Sequence, residues 1–263
     1  MSGISTIPNP WLEELAVAKT AAILAGEYLA GLSSKDKTVL SSIGRDIKLQ
    51  ADQDAERIIL NHLNEHSRYP VLAEESGETG APGKPGHECF WAVDPLDGTL
   101  NFKRNIPVCA VSLALVQEKT PVLGVINDFN RKKIYYGSLD HGAFCNDEPI
   151  HVNPPGEIGQ AVIATGFPVR LQMDDAAGLK FLKTIRQFKK QRMIGSAALS
   201  LAWVAAGHVD CYMENNIMLW DVAAGIAIVL AAGGVLRMQP MDDPKWSNHI
   251  CCAAHQGLLA QIP

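Results

Sequence analysis

Apolar side chains recur at helical spacing over the first thirty positions of the chain. Asn9 and Pro10 offer an N-cap and a first-turn proline, and the apolar positions that follow continue to Gly31. This pattern predicts a long amphipathic helix that ends near Gly31. A second amphipathic helix is predicted over 52–64, and a short buried strand over 70–73.

Strand patterns dominate the middle of the chain. Glycine and proline recur between 76 and 88 and predict an exposed loop. Runs of β-branched and aromatic residues then predict strands over 90–93, 108–116, 122–126 and 133–136.

The second half alternates between strand and helix patterns after a weak internal seam at 154–156. Strands are predicted over 161–165, 191–194, 209–213 and 234–238, and helices over 174–189, 196–206 and 221–231. Such alternation is typical of layered α/β packing. We expect one domain spanning 1–263.

Composition and charge exclude several classes of protein. Of the 263 residues, 47% are hydrophobic and 19% charged, which is ordinary for a folded globular domain and unlike a disordered chain. A formal charge of −5 argues against a main role in coating nucleic acid or a membrane surface. If this chain handles phosphates, it needs a local device such as a metal ion or a helix N-terminus.

The cysteines and the most apolar segment indicate a soluble cytoplasmic protein. The six cysteines show no CxxC pair, so free thiols in a reducing compartment are expected. The N-terminus lacks the basic region of a signal peptide. The apolar stretch 222–236 lies between Asp221 and Arg237 and is shorter than the roughly 20 residues of a membrane span.

The strongest chemical signal is the segment 91–102, in which a buried strand leads into Asp94 and Asp97. Two carboxylates directed the same way repel each other unless a cation lies between them, and hard oxygen ligands suit Mg²⁺. The N–H groups of Gly98 and Thr99 could open a helix and meet a phosphate. The alternative is an Asp-rich turn whose carboxylates cap the backbone.

Four further acidic residues have the same ambiguity. Glu74 and Glu75 follow another apolar strand, and alternation sends them to opposite faces. Asp221 and Asp52 stand at the start of predicted helices, where a carboxylate also serves as a cap. Each alone is compatible with a structural role.

Taken together, these motifs resemble the inositol monophosphatase family in order and spacing from about residue 10 to 252. The resemblance rests on the segments 74–75, 94–102, 220–221 and 233–234. The segments 165–168 and 195–198 resemble the bacterial members of the family in particular. It implies an αβαβα five-layer sandwich, a homodimer and inhibition by lithium.

The resemblance also implies roles for individual residues. The positions that match Mg²⁺ ligands, for two or three ions, are Glu74, Asp94, Asp97, Asp221 and the carbonyl of Leu96. Asp52 and Thr99 match the pair that activates the attacking water, and Glu75 matches its acidic neighbour. The positions that match substrate contacts are Asp97, Gly98, Thr99, Gly195, Ser196, Ala197, Glu214 and Asp221.

The expected activity is Mg²⁺-dependent hydrolysis of a small phosphorylated alcohol by direct attack of an activated water. Metal ions would neutralise the phosphate and hold the attacking and leaving oxygens. Inositol 1-phosphate is the expected substrate, and histidinol phosphate, fructose 1,6-bisphosphate and 3′,5′-bisphosphate nucleotides remain alternatives.

The chain departs from the family pattern at three places, one of which is the pair Asn215 and Asn216. Ala231 replaces an acid and is expected to change only packing late in a helix. Ser200 replaces an acid, and Asn215 and Asn216 replace a usual glycine, both beside the expected substrate side. These changes leave the identity of the substrate open.

Two other kinds of function remain as alternatives. His62 and His66 fit an H-x-x-E-H zinc peptidase pattern, although a solvated helix end explains them as well. A regulatory partner protein would use a surface instead, and the candidate is the basic stretch 180–192.

Overall fold

The computed structural model describes residues 11–33, 37–43, 46–84, 87–154, 156–167, 174–241 and 245–263. The elements of the first half are α1 (Leu12–Gly31), β1 (Val39–Ile43), β2 (Asp46–Leu49), α2 (Gln50–His66), β3 (Val71–Ala73), β4 (Gly77–Thr79), β5 (Cys89–Asp97), α3 (Thr99–Lys103), β6 (Ala110–Gln117), β7 (Thr120–Asp128) and β8 (Lys133–Ser138). The elements of the second half are β9 (Gly142–Cys145), β10 (Glu148–Pro149), β11 (Val162–Thr165), α4 (Asp175–Ile185), β12 (Lys190–Arg192), α5 (Ala197–Ala205), β13 (Cys211–Met218), α6 (Leu219–Ala231), β14 (Val235–Pro240), β15 (Ser247–Ala253) and α7 (Gln256–Leu259).

An eight-stranded sheet has the order β10-β9-β8-β7-β6-β5-β3-β4. Its pairs are antiparallel except that β3 runs parallel to β5. The carboxyl ends of two parallel neighbours lie at the same edge of a sheet. The turn after β3 therefore lies beside the end of β5, and this brings Glu74 close to Asp94.

The helices α1 and α2 cover one face of this sheet. Ala18, Ala22 and Ala25 of α1 are fully buried, and these small side chains let the helix approach the strands closely. The Asn127 amide of β7 donates a hydrogen bond of 2.8 Å to the Ala22 carbonyl. The first two layers of the fold are thus a helix pair and a sheet.

The helices α5 and α6 form the central layer and are buried between the two sheets. At Gly124 of β7 the sheet backbone meets the backbone of α6, and a Cβ there would lie 2.2 Å from the Ala224 carbonyl oxygen. The apolar stretch predicted to be too short for a span becomes most of α6 and the start of β14. No helix in the described part of the chain is both long and apolar enough to cross a bilayer.

The second sheet has five strands in the order β12-β11-β13-β15-β14. β11 runs parallel to β12 and β13, while β15 is antiparallel to both of its neighbours. Its outer face packs against α7 and against Phe188, which follows α4. The predicted αβαβα sandwich is confirmed.

The structure corrects several predicted boundaries. The segment predicted as a loop over 76–88 contains β4, and α4 ends at Ile185 rather than at 189. The hairpin of β1 and β2, the strands β9, β10 and β15, and the helix α7 were not predicted. The predicted helix start at Asn9 and Pro10, together with Pro155 and Pro168, lies outside the described residues.

Candidate active site

Three carboxylates from three elements meet at the end of β5. Glu74 follows β3, Asp94 lies on β5, and Asp221 lies in the first turn of α6. One oxygen from each lies within 4.8 Å of the others. Asp221 also accepts a hydrogen bond of 3.2 Å from the Met218 N–H, so it caps α6 as well.

Burial sets the electrostatics of this cluster. Removal from water raises the pKa of Asp94 well above its usual value, and the charges of Glu74, Asp97 and Asp221 raise it further. The pKa of Asp221 is raised well above normal in the same way, by burial and then by Glu74 and Asp97. Converging carboxylates of this kind are stabilised in the ionised form by a cation. A set of hard oxygen donors fits Mg²⁺ by its chemistry.

Asp97 has different partners. Its carboxylate accepts hydrogen bonds from the backbone N–H groups of Ala197 at 3.2 Å and Ala198 at 2.9 Å, and from the Ser196 hydroxyl. It therefore faces the N-terminus of α5 and is not one of the three converging acids. Burial raises the pKa of Asp97 to about 6, against the effect of these hydrogen bonds.

Asp52 and Thr99 form a second polar pair beside the cluster. The Thr99 hydroxyl lies 3.2 Å from Asp52 Oδ1 and 3.1 Å from the Leu96 carbonyl oxygen. Asp52 Oδ2 accepts the Leu49 N–H at 2.5 Å, which holds the carboxylate at the start of α2. Burial, with a smaller contribution from Glu75, raises the pKa of Asp52 to about 7.

Gly98 shapes the turn between β5 and α3. It has a φ of +87°, which favours glycine, and a Cβ would lie 2.8 Å from the Val108 carbonyl oxygen. The predicted glycine turn is therefore required by both conformation and space, and α3 begins at the next residue, Thr99.

A cavity of about 260 Å³ opens over these groups, at the small end of ligand pockets. Its lining includes all five residues predicted to hold metal and all the residues predicted to contact substrate. Among the described residues that line it there is no Lys, Arg or His. Of the predicted site residues, Asp52 and Glu75 do not line the cavity.

Sequence reasoning missed several residues that build the site. Tyr212 lines the cavity and donates a hydrogen bond of 2.6 Å to Glu214, whose pKa burial raises to about 7. Asn101 donates to the carbonyls of Ile194 at 2.8 Å and Gly195 at 3.2 Å, which ties α3 to the loop before α5. Glu56 was also missed. Its position four residues after Asp52 was the available signal, because this spacing places two carboxylates on one face of a helix.

The departures from the family pattern have local explanations. Ser200 lines the cavity and donates a hydrogen bond of 2.6 Å to the Ser196 carbonyl. Asn216 has a φ of 55° within a bulge of β13, a conformation that asparagine tolerates better than most residues. Ala231 ends α6 beside Gly137 of β8, in keeping with a packing role.

His62 and His66 lie at the end of α2. Their rings stack at 4.3 Å, and His66 Nδ1 lies 2.9 Å from the His62 carbonyl oxygen. Within the described part of the chain, the one cluster with metal-ligand geometry is the acidic one. The solvated helix end is therefore the better interpretation of the H-x-x-E-H pattern.

Comparison with known proteins agrees with this fold. A model of the inositol monophosphatase family matches residues 11–262. Inositol-1-monophosphatase of Synechocystis sp. is 36% identical over 239 residues, covering 88% of this chain and 81% of that protein. Nus factor SuhB of Xylella fastidiosa is 37% identical over 233 residues, covering 87% of this chain and 83% of that protein.

Solved structures show the same architecture. Inositol monophosphatase from Anabaena (Nostoc) sp. matches with a TM-score of 0.80 and 30% identity, covering 95% of this chain and 96% of that one. The fold and these matches define a phosphoric monoester hydrolase. The chain belongs to the inositol monophosphatase family.

Proposed function

We propose that this chain hydrolyses inositol 1-phosphate to inositol and inorganic phosphate in a Mg²⁺-dependent reaction. One observation carries the proposal: a cavity of ligand size is lined by converging carboxylates and, among the described residues, by no basic side chain. A phosphate dianion cannot enter such a site without cations. Glu74, Asp94 and Asp221, with Asp97 and the Leu96 carbonyl nearby, would hold two or three Mg²⁺ ions.

Bound Mg²⁺ would neutralise the phosphate and lower the pKa of the attacking water. Asp52 is placed to accept a proton, because its pKa near 7 suits a general base at neutral pH. Thr99 lies between the cavity and Asp52 Oδ1, so its hydroxyl can orient the water and relay the proton. Glu75 contributes by its charge, which favours the protonated form of Asp52.

Water would attack phosphorus directly. The water oxygen forms a bond to phosphorus, the bond from phosphorus to the inositol oxygen breaks, and a proton from solvent completes the alcohol. The backbone of Gly98 and Thr99 would face the phosphate. Glu214 and the 195–197 turn also line the cavity and would offer partners to the polyol hydroxyls.

Phosphate release from a substrate panel tests the proposal. The panel contains inositol 1-phosphate, histidinol phosphate, fructose 1,6-bisphosphate and adenosine 3′,5′-bisphosphate, each with Mg²⁺ and with chelator. We expect Mg²⁺-dependent release, fastest from inositol 1-phosphate, and inhibition by lithium. If phosphate is released faster from another member of the panel, that compound would replace inositol 1-phosphate as the proposed substrate. If chelator does not reduce the release, the metal mechanism would be overturned.

A regulatory role is a second candidate, favoured by the similarity to Nus factor SuhB. A partner would contact the surface of α4 and β12, where the basic residues Lys180, Lys183, Lys190 and Arg192 are exposed or partly exposed. An Asp94→Asn variant separates the roles, because it removes a metal ligand and leaves this surface unchanged.

We also propose a cytoplasmic homodimer. All six cysteines are free thiols, as expected in a reducing compartment. Leu179 and Leu182 expose an apolar face on α4 that a second copy would cover.

A further inference from the structure

Glu56 is a buried carboxylate that the proposed reaction does not use. It lies on α2 four residues after Asp52, so the two side chains share one face of the helix. Its exposed fraction is 3%. A charged side chain that is this buried requires strong hydrogen-bond partners.

Two backbone N–H groups are those partners. The Glu75 N–H donates to Glu56 Oε2 at 2.9 Å, and the Ser76 N–H donates to Oε1 at 2.9 Å. Both oxygens of one carboxylate thus hold two consecutive residues of the turn between β3 and β4. Hydrogen bonds to an ionised acceptor are stronger than neutral ones, and two parallel bonds also fix orientation.

That turn carries the acidic pair of the site. The Glu74 N–H donates to the Val93 carbonyl at 3.1 Å, which anchors the start of the turn to β5 beside Asp94. Glu56 of α2 holds the next two residues. The direction of the Glu74 side chain toward Asp94 and Asp221 depends on the backbone between these two anchors, and so does the position of Glu75 near Asp52.

We propose that Glu56 is a positioning residue for the metal site: its carboxylate clamps the 74–76 turn so that Glu74 is preorganised to bind Mg²⁺. The inference rests on the proposed Mg²⁺ function. α2 then sends two carboxylates to the site, Asp52 toward Thr99 and Glu56 toward the turn. Loss of the clamp weakens metal binding without removing a ligand.

Titration calorimetry of the full chain with Mg²⁺, in the absence of substrate, tests the clamp. In Glu56→Gln the side chain keeps its size, but its NH₂ group faces one of the two N–H donors. Outer-shell changes of this kind typically cost about 10–100-fold in metal affinity, and we expect a loss in that range. The matched control is Glu65→Gln, the same change at an exposed position on α2, which should bind as the wild type does.

A second variant separates geometry from charge. Glu56→Asp keeps the negative charge but is one methylene too short to reach both N–H groups, so we expect its affinity for Mg²⁺ to fall as well. Wild-type affinity in Glu56→Asp, with weak binding in Glu56→Gln, would show that charge alone matters and would overturn the clamp. Circular dichroism and thermal melting establish that each variant is folded.

Amide hydrogen exchange of the metal-free wild type tests the clamp without any mutation. We expect the Glu75 and Ser76 amides to be protected, and exchange at the rate of an open chain would overturn the proposal. Asp94→Asn in the same calorimetric titration keeps the two inferences apart. If the wild type binds Mg²⁺ no better than Asp94→Asn, the proposed function fails, whereas Asp94-dependent binding that Glu56→Gln leaves unchanged refutes only the clamp.

Discussion

At the scale of single residues, the site combines ionisable groups with different hydrogen-bond partners. Asp94 accepts a hydrogen bond of 2.9 Å from the Leu96 N–H and otherwise faces other acids. Asp97 instead accepts two backbone N–H groups of α5. Repulsion is therefore largest where a cation would bind, and Asp97 is held by the protein itself.

The exchange of Asp94 for Asn should separate activity from stability. Asn keeps the oxygen that accepts the Leu96 N–H but removes the charge. Because outer-shell partners alone are worth about 10–100-fold, we expect loss of this ligand to reduce hydrolysis by at least about 100-fold. In chelator, the melting temperature should stay equal or rise, because repulsion within the cluster is relieved. Activity near that of the wild type would contradict the ligand assignment.

The raised pKa of Asp52 predicts how the stability of the metal-free protein depends on pH. Its pKa is about 7 in the folded chain, against 3.8 as the ordinary value. Between these values the folded state binds a proton that the unfolded state does not, so the free energy of unfolding falls as pH rises from about 4 to 7. Asp52→Asn should reduce this slope in urea titrations with chelator. An unchanged slope would show that the Asp52 carboxyl titrates normally.

At the scale of elements, the ends of strands and the starts of helices made part of the site predictable. Asp94 follows an apolar run, and Asp52 and Asp221 stand at helix starts, so the pattern placed them at the ends of elements. Only the family resemblance assigned them to a common site. The clamp by Glu56 depends on a contact between α2 and a turn 19 residues away, which local periodicity does not encode. β4 was missed because Gly77 and Gly80 indicate a turn whether or not a strand lies between them.

The contact between β7 and α6 positions Asp221. A substitution at Gly124 tests the importance of this contact. A Cβ at residue 124 would clash with the Ala224 backbone, which cannot rotate away as a side chain could. We expect Gly124→Ala to lower the free energy of unfolding by about 1–3 kcal/mol, the usual cost of overpacking, and to weaken Mg²⁺ binding through displacement of α6.

Gly31→Ala is the matched control for this contact, since a Cβ at the end of α1 meets no atom within 4 Å. Its free energy of unfolding should change by less than about 1 kcal/mol. Denaturant titration measures both variants, and equal stability of the two would contradict the close approach of β7 and α6.

At the scale of the whole molecule, the layer order was predictable mainly because the family resemblance supplied it. Periodicity alone indicated layered α/β packing but not the division into two sheets. β15 lies in the middle of the second sheet between β13 and β14. Its sequence Ser247–Ala253 mixes polar residues with cysteine and alanine, so it lacks the β-branched run that marked the other strands.

An exposed apolar face of α4 lies near β12, at the edge of the second sheet. β12 ends this sheet, and α4 beside it exposes Leu182 to 57% and Leu179 to 53%, although most large apolar side chains are buried. Light scattering should give a mass near twice 28.4 kDa. Leu182→Glu should shift the mass toward one chain, because burying a charge at an apolar contact is costly.

Leu139→Glu is the control, because Leu139 is 45% exposed in the turn after β8, a strand of the other sheet. It should leave the mass unchanged, and a wild-type mass of one chain at micromolar concentration would contradict the dimer. The three carboxylates that converge in the cavity, Glu74, Asp94 and Asp221, meet within a single chain. We therefore expect hydrolysis by the Leu182→Glu monomer to persist.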